Sequence, residues 1–154
     1  HGKKQRGLQG NNHILGGNEM TSQEYVAGLF DLTGHVGIIT GASRGLGLGQ
    51  AKVLTDAGAK VYNFDIAPHS DEETIREGSL IDVICDVTDY EKVKKEVEAI
   101  AGQEGHLDFL INNAGITYKS RAEEFPEDRL DKILLINLKT PLMMARICYP
   151  YLTE

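Results

Sequence analysis

No run of apolar residues in this 154-residue chain approaches the ~18 that a membrane-spanning helix requires, so no membrane partner is expected. Basic charge is also short. Lys and Arg number 16 against 23 Asp and Glu, a formal charge of −7, and no basic run occurs outside the N-terminus. That balance argues against nucleic acid as a partner. Cysteine is scarce. Cys85 and Cys148 have neither metal-ligand spacing nor a disulfide framework around them, and both fall in apolar surroundings. They read as small buried hydrophobes, which fits a reducing compartment. The five histidines, at 1, 13, 35, 69 and 106, form no pair at ligand spacing, and no metal site is expected. What remains is a 41% apolar composition suited to a globular protein, with length for one domain and not two.

The chain is organised around Val36-Gly37-Ile38-Ile39-Thr40-Gly41-Ala42-Ser43-Arg44-Gly45-Leu46-Gly47. A short apolar run feeds a glycine-rich turn, and a helical pattern follows at once, with Leu46, Gln50, Val53, Leu54 and Ala57 expected on one face. Strand, glycine turn and helix form the context of a dinucleotide-binding loop. Gly41 lets the chain leave the strand tightly. Gly45 removes a Cβ where a pyrophosphate must approach, and Gly47 lets the helix lie close to the strand. The free N–H groups of the helix start then face the phosphates. An ordinary glycine-rich βα turn is the plain alternative.

Residues 1–19 are polar, glycine-rich and without periodicity, and read as an expression-tag remnant with little structure; Met20 is a plausible native start. A native disordered tail is the alternative. Their net charge is +2, so the remainder carries −9. Residues 20–154 read as part of one domain. Thr21 and Glu24 match a capping box for a short helix to Phe30. Strands are expected at 35–40, 59–65, 80–86 and 107–111. The helix that begins at Ser43 or Arg44 should end near Ala57, with Gly58 as its stop. Ser70 is a possible cap for a short helix, and Thr88 with Glu91 for the helix running to about Gly102. A loop or short helix covers 118–125. One long helix then runs from Glu127 to about Tyr149, with apolar residues on several sides. Strands alternating with helices predict an α/β fold, a Rossmann-type doubly wound parallel sheet with at least four strands. Right-handed crossovers place the second and third strands to one side of the first and the fourth to the other.

Asp65 closes the second strand, where a carboxylate can accept from both ribose hydroxyls of an adenosine and repel a 2′-phosphate. A turn or capping aspartate is the plain alternative. Arg44 pulls the other way, since a guanidinium can grip a 2′-phosphate. Asp65 should dominate, because a fixed like charge costs more than a mobile cation returns. NAD is therefore expected, with NADP disfavoured. Asp86 closes the third strand, where it could meet an adenine amino group or serve only as a strand-end aspartate. Asn112 and Asn113 can tie strand ends together and hold the ribose beside a nicotinamide, and Gly115 turns the chain away.

The Thr40–Gly47 stretch, Asp86-Val87, Asn112-Asn113-Ala114-Gly115 and Asn137 together resemble the short-chain dehydrogenase/reductase family, from about Leu32 to the last residue. The resemblance implies a nicotinamide-dependent oxidoreductase with one Rossmann domain, cytoplasmic and oligomeric. It implies cofactor contacts from Gly41, Ser43, Arg44, Gly45, Leu46, Gly47, Asp65, Asp86, Val87, Asn113, Ala114 and Gly115. It makes Asn137 one of four catalytic residues, whose main-chain carbonyl holds a water of the proton relay. Pro141, four residues on, lacks the N–H that would bind that carbonyl, so a kink is expected there.

The family's catalytic serine, and its tyrosine and lysine four positions apart, lie beyond the long helix. The sequence ends at Glu154 before any of them, so the C-terminal half of the domain is expected to be missing and the 154 residues alone inactive. The expected activity of the whole is hydride transfer with a small alcohol or ketone. Sugar acids and polyols are favoured by general look and by Lys119 and Arg121, with 3-oxoacyl and steroid substrates as alternatives. A homo-oligomer through the long helix is expected. The competing reading is a non-catalytic dinucleotide-binding module or sensor.

Overall fold

The structure, a computed structural model, describes residues 13–15, 18–70 and 74–152. The chain divides into two compact units, 1–31 and 32–154. In the first, β1 (His13–Leu15) pairs antiparallel with β2 (Asn18–Met20), and α1 (Ser22–Leu29) follows. Of the stretch 1–19, only 13–15 and 18–19 fall among the described residues, and they lie in this pair. The capping box forms as its sequence implies. Glu24 N donates to Thr21 Oγ1 at 3.2 Å, and Thr21 N donates to Glu24 Oε2 at 2.8 Å. The Thr21 backbone and hydroxyl donors hold the Glu24 carboxyl below the usual glutamate range.

The second unit runs β3 (Val36–Thr40), α2 (Gly45–Asp56), β4 (Lys60–Asp65), β5 (Leu80–Ile84), α3 (Tyr90–Glu104) and β6 (Phe109–Asn112). A 3-10 turn (Ala122–Glu124), α4 (Glu127–Leu134), a π-turn (Leu135–Lys139) and α5 (Thr140–Leu152) follow. Its four strands form one all-parallel sheet in the order β5-β4-β3-β6. The second and third strands of this sheet thus lie on one side of β3 and the fourth on the other, as the crossover rule requires.

The period of two along each strand divides the core between two faces. Val36, Ile38, Tyr62 and Phe64 pack with Val93 and Val97 of α3 and Met144 and Cys148 of α5. Ile39, Val61 and Leu80 pack on the other face with Leu48 and Ala51 of α2. Ile38, Ile39 and Phe64 are fully buried, each stabilising the fold by about 1.5–3 kcal/mol. Gly37 makes room in the second layer: a Cβ there would stand 2.1 Å from the Phe109 ring.

Several local expectations are corrected. The buried face of α2 is Gly47, Leu48, Ala51 and Thr55, while Leu46 and Val53 are 84% and 68% exposed. The small residues at 47 and 51 bring the helix close to the sheet, and that closeness selects the face over side-chain size. The cap of α3 is Asp89, whose carboxylate accepts from Lys92 N at 3.1 Å. Thr88 is spent elsewhere, its hydroxyl and N–H both donating to Asp86 Oδ1. A helix after Ser70 would begin at 71–73, outside the described residues. The single long helix is three pieces. Thr140 N bonds Leu135 O, five residues back, in the wide turn that precedes Pro141. The proline ring crowds the carbonyl four residues before it, and the wider turn relieves that contact.

Candidate functional site

The chain segments that leave the C-terminal ends of β3, β4, β5 and β6 open a cleft of about 790 Å³. Small-molecule sites run to about 300–1,000 Å³, and in open α/β sheets they lie at this edge. Eleven residues expected to touch a cofactor line it: Gly41, Arg44, Gly45, Leu46, Gly47, Asp65, Asp86, Val87, Asn113, Ala114 and Gly115. Ser43 does not. Its Oγ donates to Ala67 O and its N donates to Asp65 Oδ2 at 3.1 Å, so it braces the loop from behind.

The start of α2 has no side-chain cap, whereas α1 is capped by Thr21 and α3 by Asp89. The first N–H groups of any helix lack intrahelical acceptors. Here they open on the cleft, with the positive end of the helix dipole behind them. Gly45 has φ +57°, and a Cβ on it would meet nothing within 4 Å, so its missing side chain leaves a cradle open to a ligand. Gly47 is constrained in the opposite way. A Cβ there would stand 2.3 Å from Gly41 O and 2.5 Å from Asn113 Nδ2.

Asp65 is half-buried and turns one carboxylate oxygen to Ser43 N and the other to Ile66 N at 2.7 Å. Each oxygen retains capacity for a hydroxyl donor. Asp86, two residues past β5, accepts from Thr88 N at 2.9 Å and Thr88 Oγ1 at 2.7 Å. These two bonds, aided by the charge of Lys132, hold its carboxyl below the usual aspartate range. The cleft is therefore lined by two cations, Arg44 and Lys132, and two carboxylates. Cys85 lies buried at its floor with its thiol pushed up by burial; Cys148, in the core, is pushed up to about 12 for the same reason. Neither is poised as a nucleophile.

Asn113 ties β6 to β3, as its sequence position implies. Its Nδ2 donates to Thr40 O at 3.0 Å and Gly41 O at 2.8 Å. Both amide hydrogens are thereby used, and its oxygen is the atom left to address a ligand hydroxyl. Thr40 Oγ1 accepts from the N–H groups of Asn113 and Ala114. Asn137 is exposed and does not line the cleft; its side chain clamps the main chain beside it. Its Nδ2 donates to Ile116 O and its Oδ1 accepts from Ile116 N, each at 2.9 Å. This fixes the exit of the Asn112–Gly115 turn against the π-turn.

Sequence reasoning did not find Lys132, Ile116, Ile136, Ile66, Phe64 or Cys85 as lining residues. Ile66 and Cys85 adjoin residues that were found, so position alone was a usable signal. Lys132 and Ile136 carried none, because the return of α4 across the cleft is a tertiary fact. Farther along, Tyr118 is held edge-on to Phe125 at 5.7 Å, with the Arg129 guanidinium 5.5 Å from its ring centroid. Lys119 and Arg121 are exposed. Among the described residues, no group of three His, Cys, Asp or Glu is placed to hold a metal, and no helix is long and apolar enough to cross a membrane.

A parallel sheet with an uncapped, glycine-opened helix start at its switch point is the architecture of a dinucleotide-binding protein. The family model of the short chain dehydrogenases matches residues 35–154, and the chain belongs to that family, whose members bind nicotinamide dinucleotides. It is 30% identical over 128 residues to a 3-oxoacyl-[acyl-carrier-protein] reductase of Thermotoga maritima, covering 80% of this chain and 52% of the relative. It is 32% identical over 120 residues to an NAD-dependent glycerol dehydrogenase of Listeria innocua, covering 77% and 47%. Its fold is similar to that of the aldohexose dehydrogenase of Thermoplasma acidophilum, with a TM-score of 0.70 and 31% identity, covering 79% of this chain and 46% of that one. The chain spans about half the length of the curated relatives it matches.

Proposed function

We propose that this chain is the cofactor-binding part of an NAD-dependent oxidoreductase that exchanges hydride with a small alcohol or ketone. The carrying observation is the uncapped α2 start, open at Gly45, with Asp65 lining the same cleft. The donor set fits a dinucleotide. The α2 N–H groups and Arg44 suit a pyrophosphate, Asp65 the adenosine ribose hydroxyls, Asp86 and Val87 the adenine, and Asn113 to Gly115 the ribose beside the nicotinamide. A bound nicotinamide supplies the hydride acceptor or donor. Asn137 contributes to catalysis by fixing the main chain at Ile116 and the wide turn before Pro141. The 154 residues alone should not turn over substrate, since among the described residues no serine, tyrosine or histidine lines the cleft to supply the acid/base that typically contributes about 10²–10⁴-fold.

Polyols and sugar acids are the substrate class we favour. Two of the similar proteins are a glycerol and an aldohexose dehydrogenase, and Lys119 and Arg121 offer cations to a carboxylate. The similarity to an acyl-carrier reductase supports 3-oxoacyl substrates as the second reading. The exposed leucines 134, 138 and 142 recur every fourth residue, with exposed Tyr149 beyond them, and support self-association through this face in a cytoplasmic homo-oligomer. Calorimetric titration of the 154-residue chain with NAD and NADP tests the cofactor assignment. NAD should bind more tightly, and Asp65→Ser should narrow the difference. Tighter binding of NADP, or no change in Asp65→Ser, overturns the role of Asp65.

A further inference from the structure

Central strand β4 carries an amide in its core: Asn63 is 0% exposed. A buried amide costs free energy unless both its ends are bonded. Asn63 Oδ1 accepts from Ala42 N at 2.9 Å, on the glycine-rich turn. Its Nδ2 donates to Asp82 Oδ1 at 2.9 Å, on the residue in register with it on β5, and lies 3.4 Å from Ser43 Oγ. The Asp82 carboxylate also accepts from His69 N, at 3.1 and 3.2 Å to its two oxygens, and stands 2.8 Å from His69 Nδ1. A carboxylate only accepts, so Nδ1 carries the hydrogen. The same segment is tied twice more to the glycine-rich turn. Ser70 N donates to Ser43 O at 2.9 Å, and Ser43 Oγ donates to Ala67 O. Asn63, Asp82 and His69 all lie outside the cleft lining, whereas Ile66, at the head of this segment, is part of it.

We propose that Asn63, Asp82 and His69 are positioning residues that pin the segment 66–70 to the glycine-rich turn, and that this pinning helps exclude a 2′-phosphate. The inference rests on the dinucleotide reading. A 2′-phosphate adds a bulky dianion beside Asp65. Withdrawal of the chain that follows Asp65 would make room for it, because the turn holds the other side, where Ser43 N bonds Asp65. Two bonds to a carboxylate and two to Ser43 oppose that withdrawal, and the bonds to the charged acceptor are the stronger pair. Selectivity then has two parts, the charge of Asp65 and the immobility of the segment, and each alone blocks most of the gain from removing the other.

The test measures NAD and NADP affinities and thermal midpoints for the 154-residue chain and for His69→Ala, His69→Asn, Asp82→Asn, Asp65→Ser and Asp65→Ser/His69→Ala. His69→Ala should narrow the preference for NAD by about fivefold, the loss expected from one net hydrogen bond. The double variant should narrow it by more than the product of the two single effects. His69→Asn, whose amide can still donate to Asp82, should keep the unsubstituted preference. Asp82→Asn, which weakens the same bonds without emptying space, should act in the direction of His69→Ala. Equal weakening toward both nucleotides, a purely multiplicative double variant, or His69→Asn behaving as His69→Ala would each overturn the proposal while leaving the dinucleotide reading intact. A folded chain that binds neither nucleotide overturns both.

Discussion

Gly47 and Gly45 lie two residues apart in one turn, yet alanine at each should fail in a different way. At Gly47 the new Cβ stands 2.3 Å from Gly41 O, 2.5 Å from Asn113 Nδ2 and 2.9 Å from Ala42 Cα. Comfortable carbon contacts begin near about 3.5 Å, so α2 or the turn must yield by roughly 1 Å. None of the three obstacles is a flexible tip. Two are main-chain atoms, and the third is the amide that bonds Thr40 O and Gly41 O. Overpacking costs about 1–3 kcal/mol, and loss of the Asn113 bond to Gly41 about 1 kcal/mol more. Better helix propensity returns about 1 kcal/mol, leaving a net loss of about 1–3 kcal/mol. For a unit of this size that lowers the thermal midpoint by about 3–15 °C. At Gly45 the Cβ meets nothing within 4 Å, and the cost is that of φ +57°, about 1–2 kcal/mol. Its methyl, however, occupies the cradle at the helix start. Gly45→Ala should therefore raise the dissociation constant for NAD by about tenfold or more, through loss of charge-assisted phosphate contacts. Circular-dichroism melts and calorimetric titration of both variants separate the effects. A Gly47→Ala chain as stable as the unsubstituted one, or a Gly45→Ala chain with undiminished NAD affinity, would refute the assignment of these roles.

Glu104 accepts from Lys60 Nζ and Tyr62 OH, each at 2.6 Å, and these bonds lower its carboxyl below the usual glutamate range. A lowered carboxyl stabilises the fold above the usual range and ceases to as pH falls through the lowered value. Glu104→Gln should thus reduce the urea midpoint at neutral pH but not below the lowered range; a difference that persists in strong acid contradicts this. Asn137→Ala removes both bonds to Ile116 and should cost only about 1 kcal/mol, because the pair is exposed. Its sharper signature is faster hydrogen exchange at the Ile116 amide, and unchanged protection there would show that Asn137 does not hold the segment.

The order of elements was legible because each strand carries its own apolar run and each boundary its own chemistry. Thr21 with Glu24 acts through residues three apart, and Gly58 with φ +105° and the glycines of the first turn announce a backbone need by residue type, so sequence alone exposes them. The two errors have different causes. The face of α2 depends on how closely Gly47 and Ala51 let it approach the sheet, an outcome of packing that no window of sequence contains. The cap of α3 is a local competition: Asp86, two residues before Thr88, takes its hydroxyl and N–H and leaves the cap to Asp89. The π-turn is intermediate. Pro141 marks where the helix must yield, but whether it bends or widens is decided by what Asn137 and Thr140 meet.

The same distinction runs through the site. Residues that act by backbone freedom or by their place at a strand end were readable: Gly41, Gly45, Gly47, Asp65, Asp86 and Asn113 all reach the cleft or its rim. Residues that act across the sheet were not. Asn63 looked like an ordinary strand residue until its register with Asp82 was known. Lys132 became a neighbour of Asp86 only when α4 folded back. The consequence is electrostatic. From the turn alone the cleft holds one cation, Arg44, set against Asp65 and Asp86, a poor balance for a doubly charged pyrophosphate. Lys132 makes it two against two, and the uncapped α2 start then tips the balance toward the anion. An anionic ligand is thus favoured by the assembled unit more than by the loop that first points to it.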